Sequence, residues 1–185
     1  GINNLAEIGA VLHKRGILFM VDAAQTAGSV PIDVDSFNID ILAFSGHKGL
    51  MGPPGTGGIY IREGLVPTTI IEGGTGSLSE NMYQPDFLPD RLECGTVNLP
   101  GIAALGGSLK FLLDTGIDTI RNHEIKLTDE LLKMLETIPG LRILGPRTNR
   151  ASLVSVTFDD KDPSDIAEQL NKKYGIAVHS GLHCA

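Results

Sequence analysis

Residues 39–62, "IDILAFSGHKGLMGPPGTGGIYIR", place two apolar runs on either side of a segment rich in glycine and proline. The two runs, "IDILAF" (39–44) and "GGIYIR" (57–62), have the length and composition of β-strands. A continuous apolar run before them, "ILFMV" (17–21), predicts a strand covered on both faces in a parallel sheet. Because ligands bind beyond the carboxyl ends of strands in open α/β sheets, we expect the chemistry in the segments that follow the first two strands.

Apolar side chains recur at helical spacing in three further segments. Residues 4–15 predict a helix of about three turns before the first strand. Residues 101–113 and 117–138 predict two long helices after the third strand. Between the strands and these helices, residues 72–98 are rich in Gly, Ser, Asn and Pro, which predicts a long loop with little regular structure. Helices that alternate with apolar strands indicate the α/β class.

The last part of the chain has a different pattern. Residues 151–158 alternate between apolar and polar side chains and predict a half-buried strand. Residues 164–175 predict a capped amphipathic helix, and residues 176–178 predict the start of a short last strand. The order strand, helix, strand predicts a small α+β domain over residues 115–185, which leaves residues 1–114 as the first domain.

The composition argues against several classes of function. The chain has 185 residues and a net charge of −7, from 15 Lys and Arg against 22 Asp and Glu, with no dense basic cluster, so nucleic acid is not an expected partner. No segment approaches the roughly 18 apolar residues of a membrane span. Two cysteines, with no signal peptide and no metal-type spacing, favour a reducing cytoplasmic setting. The start at Gly1 and the end just after Cys184 lead us to expect a chain cut at both ends.

Polar side chains follow the first two predicted strands. Lys48 lies among glycine and proline, where partial desolvation would favour its neutral amine as a nucleophile for Schiff-base chemistry. Ser45 and His47 could hold the phosphate of a planar cofactor. Asp22 could hold a protonated pyridine nitrogen, and Gln25 could donate to a ring oxygen. Both residues also have a simpler interpretation. A lysine in a glycine-rich loop is more often a solvated charge, and an aspartate after a strand is often only a helix cap.

Four ordered motifs then carry a family resemblance. They are "VDAAQTAG" (21–28), "DILAFSGHKGLMGPPGTGGIYIRE" (40–63), "LECGTVNLPGIAALGGSLKFL" (92–112) and "VHSGLHCA" (178–185). The chain resembles the class V aminotransferase family of pyridoxal-phosphate enzymes, and within it the cysteine desulfurase and selenocysteine lyase branch. The resemblance implies the fold type I transferase fold, here the second half of a large mixed or parallel-sheet domain plus part of a small α+β C-terminal domain.

The resemblance implies a role for each residue after the first two strands. Lys48 would bind pyridoxal 5'-phosphate as a Schiff base and later move the proton of the substrate α-carbon. Asp22 would pair with the pyridine nitrogen of the cofactor, and Gln25 would contact its ring hydroxyl. Ser45 and His47 would bind its phosphate.

Other implied roles lie further along the chain. Gly95 and Thr96 resemble the segment that reaches the cofactor phosphate of the neighbouring subunit, which implies a homodimer. Cys184, with His183 beside it, resembles the nucleophile that takes sulfur from L-cysteine, leaving L-alanine and a persulfide that a sulfur-acceptor protein could receive. Without the resemblance, a lone cysteine is more often a buried structural thiol, and we interpret Cys94 as a packing residue.

Some alternatives stay open at the level of sequence. His179 stands where the family is expected to have an arginine, so one anion-binding charge is lost or moved. The protein could instead be a selenocysteine lyase or another class V aminotransferase. It could also be a cofactor-free domain that accepts sulfur or scaffolds partners through Cys184. A metal site built from its histidines is weakly supported, because no pair has the helical spacing of a zinc motif with a supporting carboxylate.

Overall fold

The structure is a computed structural model, and it describes residues 1–182. The chain forms two compact units, Asn4–Thr119 and, with Gly1–Asn3, the residues from Ile120 onward. In chain order the elements are α1 (Leu5–Lys14), β1 (Met20–Asp22), β2 (Ile41–Ser45), β3 (Gly57–Ile61), α2 (Leu99–Thr115), α3 (Ile117–Leu135), β4 (Leu141–Leu144), β5 (Ser155–Phe158) and α4 (Pro163–Tyr174). Over residues 1–182, no helix has both the length and the apolar character needed to cross a membrane.

The first unit contains a mixed three-stranded sheet in the order β1-β2-β3. Strands β1 and β2 are parallel, with Met20 opposite Ile41, and the long connection between them permits this arrangement. Strand β3 returns antiparallel to β2, with Ser45 opposite Gly57, because only a short turn-rich segment joins them. The α/β class and the mixed sheet are therefore as predicted.

One face of β1 packs against the rest of the first unit. Phe19, Val21 and Ile39 are buried there, and burial of side chains of this size stabilises the fold by about 1.5–3 kcal/mol each. The opposite face is open, since Met20 keeps 60% of its surface exposed. The prediction of a strand covered on both faces is thus wrong for the described chain, in which β1 is also shorter than the apolar run that predicted it.

Helix α1 owes its position to a cap and a glycine. The Asn4 side chain accepts a hydrogen bond from Glu7 N at 3.4 Å and begins the helix. Leu5 and Leu12 lie on the face that packs against the core. Gly9 is buried, and a Cβ atom there would overlap the carbonyl oxygen of Phe37, so the helix approaches that segment only because the side chain is absent.

The second unit contains an antiparallel pair, β4 and β5, and the helix α4. Asp162 caps α4 by accepting from Ser164 N at 2.7 Å, and Gly175 ends it at φ 66°. Strand β5 begins later than predicted, and β4 was not predicted. The predicted strand at residues 176–178 is wrong, because in the described part of the chain the sheet of this unit has only β4 and β5, and these residues pair with neither.

Candidate active site

Asp22 and Ser45 lie on the same face of the sheet of the first unit. In the parallel pair β1–β2, Asp22 is opposite Ala43, and partners in register point to the same side. Ser45 is two residues beyond Ala43, so its side chain points to that side as well, about 7 Å further along the strand. Both residues end their strands. The carboxylate and the hydroxyl group therefore share the edge where an α/β sheet binds its ligands.

Asp22 also organises the turn that follows it. One oxygen of its exposed carboxylate accepts a hydrogen bond from Ala24 N at 2.8 Å. Thr26 N and Ala27 N both donate to the carbonyl of Ala23, which closes the turn that carries Gln25. Asp22 thus caps a turn, whereas its alternative interpretation from the sequence was a helix cap. An aspartate has two oxygens, so this cap does not exhaust its capacity as an acceptor.

The loop that carries Lys48 is closed by backbone hydrogen bonds. Gly46 N donates to Thr56 O at 2.9 Å, and Gly52 N donates to Gly46 O at 2.7 Å. Within this ring, Met51 N donates to Lys48 O at 2.8 Å. The Lys48 side chain is half-buried, between the exposed His47 and the buried Leu50. The loop therefore presents its one amine from a defined backbone position.

The Lys48 loop lies directly against the turn after β1. A Cβ atom on Gly28, which has φ 91°, would overlap the carbonyl oxygen of Gly49. A Cβ atom on Gly49 would lie 2.5 Å from the carbonyl oxygen of Ala27. Each of these contacts is possible only because the glycine that makes it has no Cβ atom. These two glycines bring the turn with Gln25 and the loop with Lys48 together.

Helix α2 supports the same loop from another side. Ser108 Oγ donates to the carbonyl of Met51 at 2.9 Å, and a Cβ atom on Gly52 would lie 2.6 Å from the buried Leu105. Neither Ser108 nor Leu105 was predicted as part of the site. The signal was available, because Leu105, Ser108 and Leu112 recur three and four residues apart, which places them on one face of a helix.

Ser45 and His47 are joined to each other. The Ser45 hydroxyl oxygen lies 2.9 Å from His47 Nδ1, which is a hydrogen bond in either direction. The bond uses one of the two hydrogens that a hydroxyl and a neutral imidazole have to donate, so the pair keeps one donor beside the Lys48 loop, at the end of β2. An anion at this position could accept the hydrogen bond of that remaining donor.

The remaining predicted site residues belong to other segments of the chain. Gly95 and Thr96 lie exposed in the loop between β3 and α2, and Gly95 N donates to the carbonyl of Gly74 at 2.7 Å rather than to the Lys48 loop. His183 and Cys184 lie outside the described residues. Cys94 is half-buried with a free thiol, and its Cβ atom would be 3.5 Å from a Cβ atom on Gly73. Over residues 1–182, no three His, Cys, Asp or Glu side chains are grouped to hold a metal ion.

Known proteins resemble the chain over its whole length. A family model described as aminotransferase class-V matches residues 1–185. A probable cysteine desulfurase of Methanothermobacter thermautotrophicus is 37% identical over 188 residues, which cover 100% of this chain and 47% of that protein. A cysteine desulfurase of Escherichia coli O8 is 38% identical over 189 residues, which cover 99% of this chain and 46% of that protein. The chain thus spans about half the length of these curated relatives.

Solved structures of cysteine desulfurases also resemble the chain over nearly its whole length. A cysteine desulfurase from Thermococcus onnurineus, solved as an apo structure, aligns with a TM-score of 0.80 and 34% identity over 98% of this chain and 46% of its own. A cysteine desulfurase from Escherichia coli with an S-sulfonic acid aligns with a TM-score of 0.82 and 31% identity, over 96% of this chain and 44% of its own.

Proposed function

Because the chain belongs to the class V aminotransferase family, we propose that it forms the Lys48-bearing part of a pyridoxal-phosphate-dependent cysteine desulfurase. The observation that carries the proposal is the shared edge of β1 and β2, where Asp22, the Ser45–His47 pair and the Lys48 loop come together. The match to proteins named cysteine desulfurase over 99% or more of this chain supports the same substrate, L-cysteine. We further propose that residues 1–114 belong to the cofactor domain and residues 115–185 to the small domain.

The side chains at this edge fit the chemistry of the cofactor. When bound, pyridoxal phosphate supplies an electron sink that makes bonds to the substrate α- and β-carbons breakable. Lys48 would hold the cofactor through its amine and carry the proton to and from the substrate α-carbon. Asp22 would hold the protonated ring nitrogen, and Gln25 the ring hydroxyl. Ser45 and His47 would orient the phosphate by hydrogen bonds.

Sulfur transfer is assigned to Cys184, with His183 assisting formation of its thiolate. The thiolate attacks the sulfur atom of cysteine, so an S–S bond forms as the C–S bond breaks. The electron pair of the C–S bond goes to the carbon, which takes up a proton and becomes part of alanine. The products are L-alanine and a persulfide on Cys184, which a sulfur-acceptor protein would then receive. This part of the proposal rests on the "VHSGLHCA" motif.

We also propose a cytoplasmic homodimer in which Gly95 and Thr96 of one subunit reach the cofactor phosphate of the other. The loop between β3 and α2 supports this, because its apolar side chains point outward. Ile70 is 97% exposed, Met82 95% and Tyr83 86%. Large apolar side chains exposed together are typical of a surface that another protein covers.

The visible spectrum of the full-length protein tests this function. With pyridoxal phosphate, the wild type should gain the absorbance of a lysine-bound cofactor, and L-cysteine should change it. We expect Cys184→Ala to keep this absorbance and to lose desulfuration by about 10²-fold or more, as expected when an essential nucleophile is removed. Lys48→Ala should lose both the absorbance and the desulfuration activity. No absorbance in the wild type would refute the cofactor, and normal turnover by Cys184→Ala would refute the sulfur-transfer role.

A further inference from the structure

The loop of residues 62–98 has no helix or strand, yet side chains tie it together. At its centre lies Arg91, whose side chain is 19% exposed. Its Nε donates to the carbonyl of Pro67 at 3.0 Å, and its Nη1 donates to the carbonyl of Pro85 at 3.5 Å. Nη1 also bonds Asp86 Oδ1 at 2.9 Å, but that side chain is fully exposed and the ion pair contributes little. The bonds to the two carbonyls therefore join the outgoing and returning halves of the loop.

Gln84 makes the second set of connections. Its Nε2 donates to the carbonyls of Asp90 and Arg91 at 3.1 and 3.2 Å. Its Oε1 accepts a hydrogen bond from Gly73 N at 3.3 Å. One amide group thus links the segment around Arg91 to the Gly73–Gly74 segment on the other side of the loop.

These connections end at Gly95. Gly74, next to the residue that bonds Gln84, accepts the hydrogen bond of Gly95 N at 2.7 Å. Gly95 has φ 78°, a conformation that glycine adopts without strain, so the bond sets the direction in which the chain continues to Thr96. The position of Thr96 therefore depends on the Gly73–Gly74 segment, and that segment is held by Gln84.

We propose that Arg91 and Gln84 are positioning residues that form a clamp, holding Gly95 and Thr96 in place to bind the phosphate of the cofactor. The inference rests on the proposed function, since it takes the phosphate as the ligand of that segment. Neither residue touches the cofactor. Their role is to keep the phosphate-binding segment of a loop without regular structure in one conformation before the ligand arrives, so that binding does not have to order it.

The chemistry of the two side chains is specific to this task. Arginine offers donors in a planar fork, and the Arg91 fork reaches Pro67 and Pro85, whereas the single ammonium group of lysine lacks this geometry. Gln84 needs an acceptor on one side for Gly73 N and two donors on the other. Glutamate of the same shape would place a charged oxygen against two carbonyl oxygens. Arg91→Lys and Gln84→Glu therefore break the clamp with small changes of volume.

The experiment is a titration of the full-length apoprotein with pyridoxal phosphate, well below its melting temperature. We expect Arg91→Lys and Gln84→Glu each to weaken cofactor binding about tenfold, the effect of losing about 1.4 kcal/mol of hydrogen bonding. The absorbance at saturation should not change, because Lys48 is intact. Proteolytic cleavage within residues 62–98 should accelerate in both variants. Arg142→Lys is the matched control, since Arg142 is 67% exposed, pairs with Asp159 in the second unit and should keep wild-type affinity.

The outcomes separate the clamp from the proposed function. A wild type that binds no cofactor refutes the proposed function itself. If the wild type binds the cofactor and the clamp variants bind it with equal affinity, only the clamp is refuted, even where the melting temperatures of the variants fall.

Hybrid dimers sharpen the test. A dimer of one Arg91→Lys subunit and one Lys48→Ala subunit should have one site of wild-type affinity, because that site combines an intact Lys48 with the partner's intact clamp. Weak binding by the hybrid would contradict action across the interface.

Discussion

The loop around Lys48 and the loop of residues 62–98 belong to the same unit but keep their shapes in opposite ways. The first depends on missing side chains, since Gly28 and Gly49 let two backbone segments touch. The second depends on side chains that are present, Arg91 and Gln84, which bond backbone groups from both halves of the loop. A loop of the first kind is sensitive to any added atom, whereas a loop of the second kind is sensitive to lost donors and acceptors.

The largest expected effect comes from adding a single methyl group to the first loop. Gly28→Ala would overlap the carbonyl of Gly49 and would force alanine to φ 91°, so we expect the free energy of unfolding to fall by about 2–5 kcal/mol. Urea unfolding measures this loss. The control is Gly107→Ala in α2, where a Cβ atom has no neighbour within 4 Å and the change should stabilise by up to about 1 kcal/mol. Equal effects of the two changes would contradict the close-contact argument.

A smaller effect should follow loss of the support from α2. Ser108→Ala removes the hydroxyl that donates to Met51 O, and we expect unfolding to become easier by about 1 kcal/mol. Weaker binding of pyridoxal phosphate should accompany it, since the Lys48 loop loses one of its supports. Ser108→Thr keeps a hydroxyl and should recover most of the loss. A stability equal to wild type in Ser108→Ala would show that the backbone contacts alone hold this loop.

The smallest effect concerns a turn held by one exposed carboxylate. The backbone hydrogen bond from Ser36 N, helped by a side-chain bond from Ser36 and a bond from Asp35 N, outweighs desolvation and lowers the pKa of Asp33 below its ordinary value of 3.8. The lowered pKa means that the contribution of Asp33 to stability is present above pH 3.8 and is lost as the pH falls through the folded-state pKa. Asp33→Asn should melt slightly below wild type at pH 7, and the difference should shrink at lower pH. A difference that grows on acidification would contradict the assignment.

The elements with a strong side-chain pattern could be predicted from the sequence. Helices α1, α3 and α4 and strands β2 and β3 lie within a few residues of their predicted positions, because apolar side chains recur along the helices at helical spacing and fill short runs in the strands. Strand β4 was missed because only four residues between glycines carry its pattern. The strand predicted at residues 176–178 had the composition of a strand but no partner in the described residues.

The candidate site could be predicted in part, because the side-chain pattern that reveals a strand also reveals the residues at its end. Asp22 and Ser45 end strands that composition reveals, and Lys48 follows three residues after Ser45. Four ordered motifs indicated a family that the match over residues 1–185 confirms. Ser108 and Leu105 were not predicted as site residues, because their spacing indicates a shared helix face but not that this face contacts a loop more than fifty residues earlier in the chain.

The sequence by itself determined which segments become helices and strands and where the amine of Lys48 lies relative to them, because these properties depend on neighbours in the chain. Tertiary structure decided the rest. It left one face of β1 open and pressed Gly28 against Gly49. It also brought Arg91 to the carbonyl of Pro67 and Gln84 to the backbone of Gly73. These outcomes depend on contacts between segments far apart in sequence, and no local pattern of residues encodes such a contact.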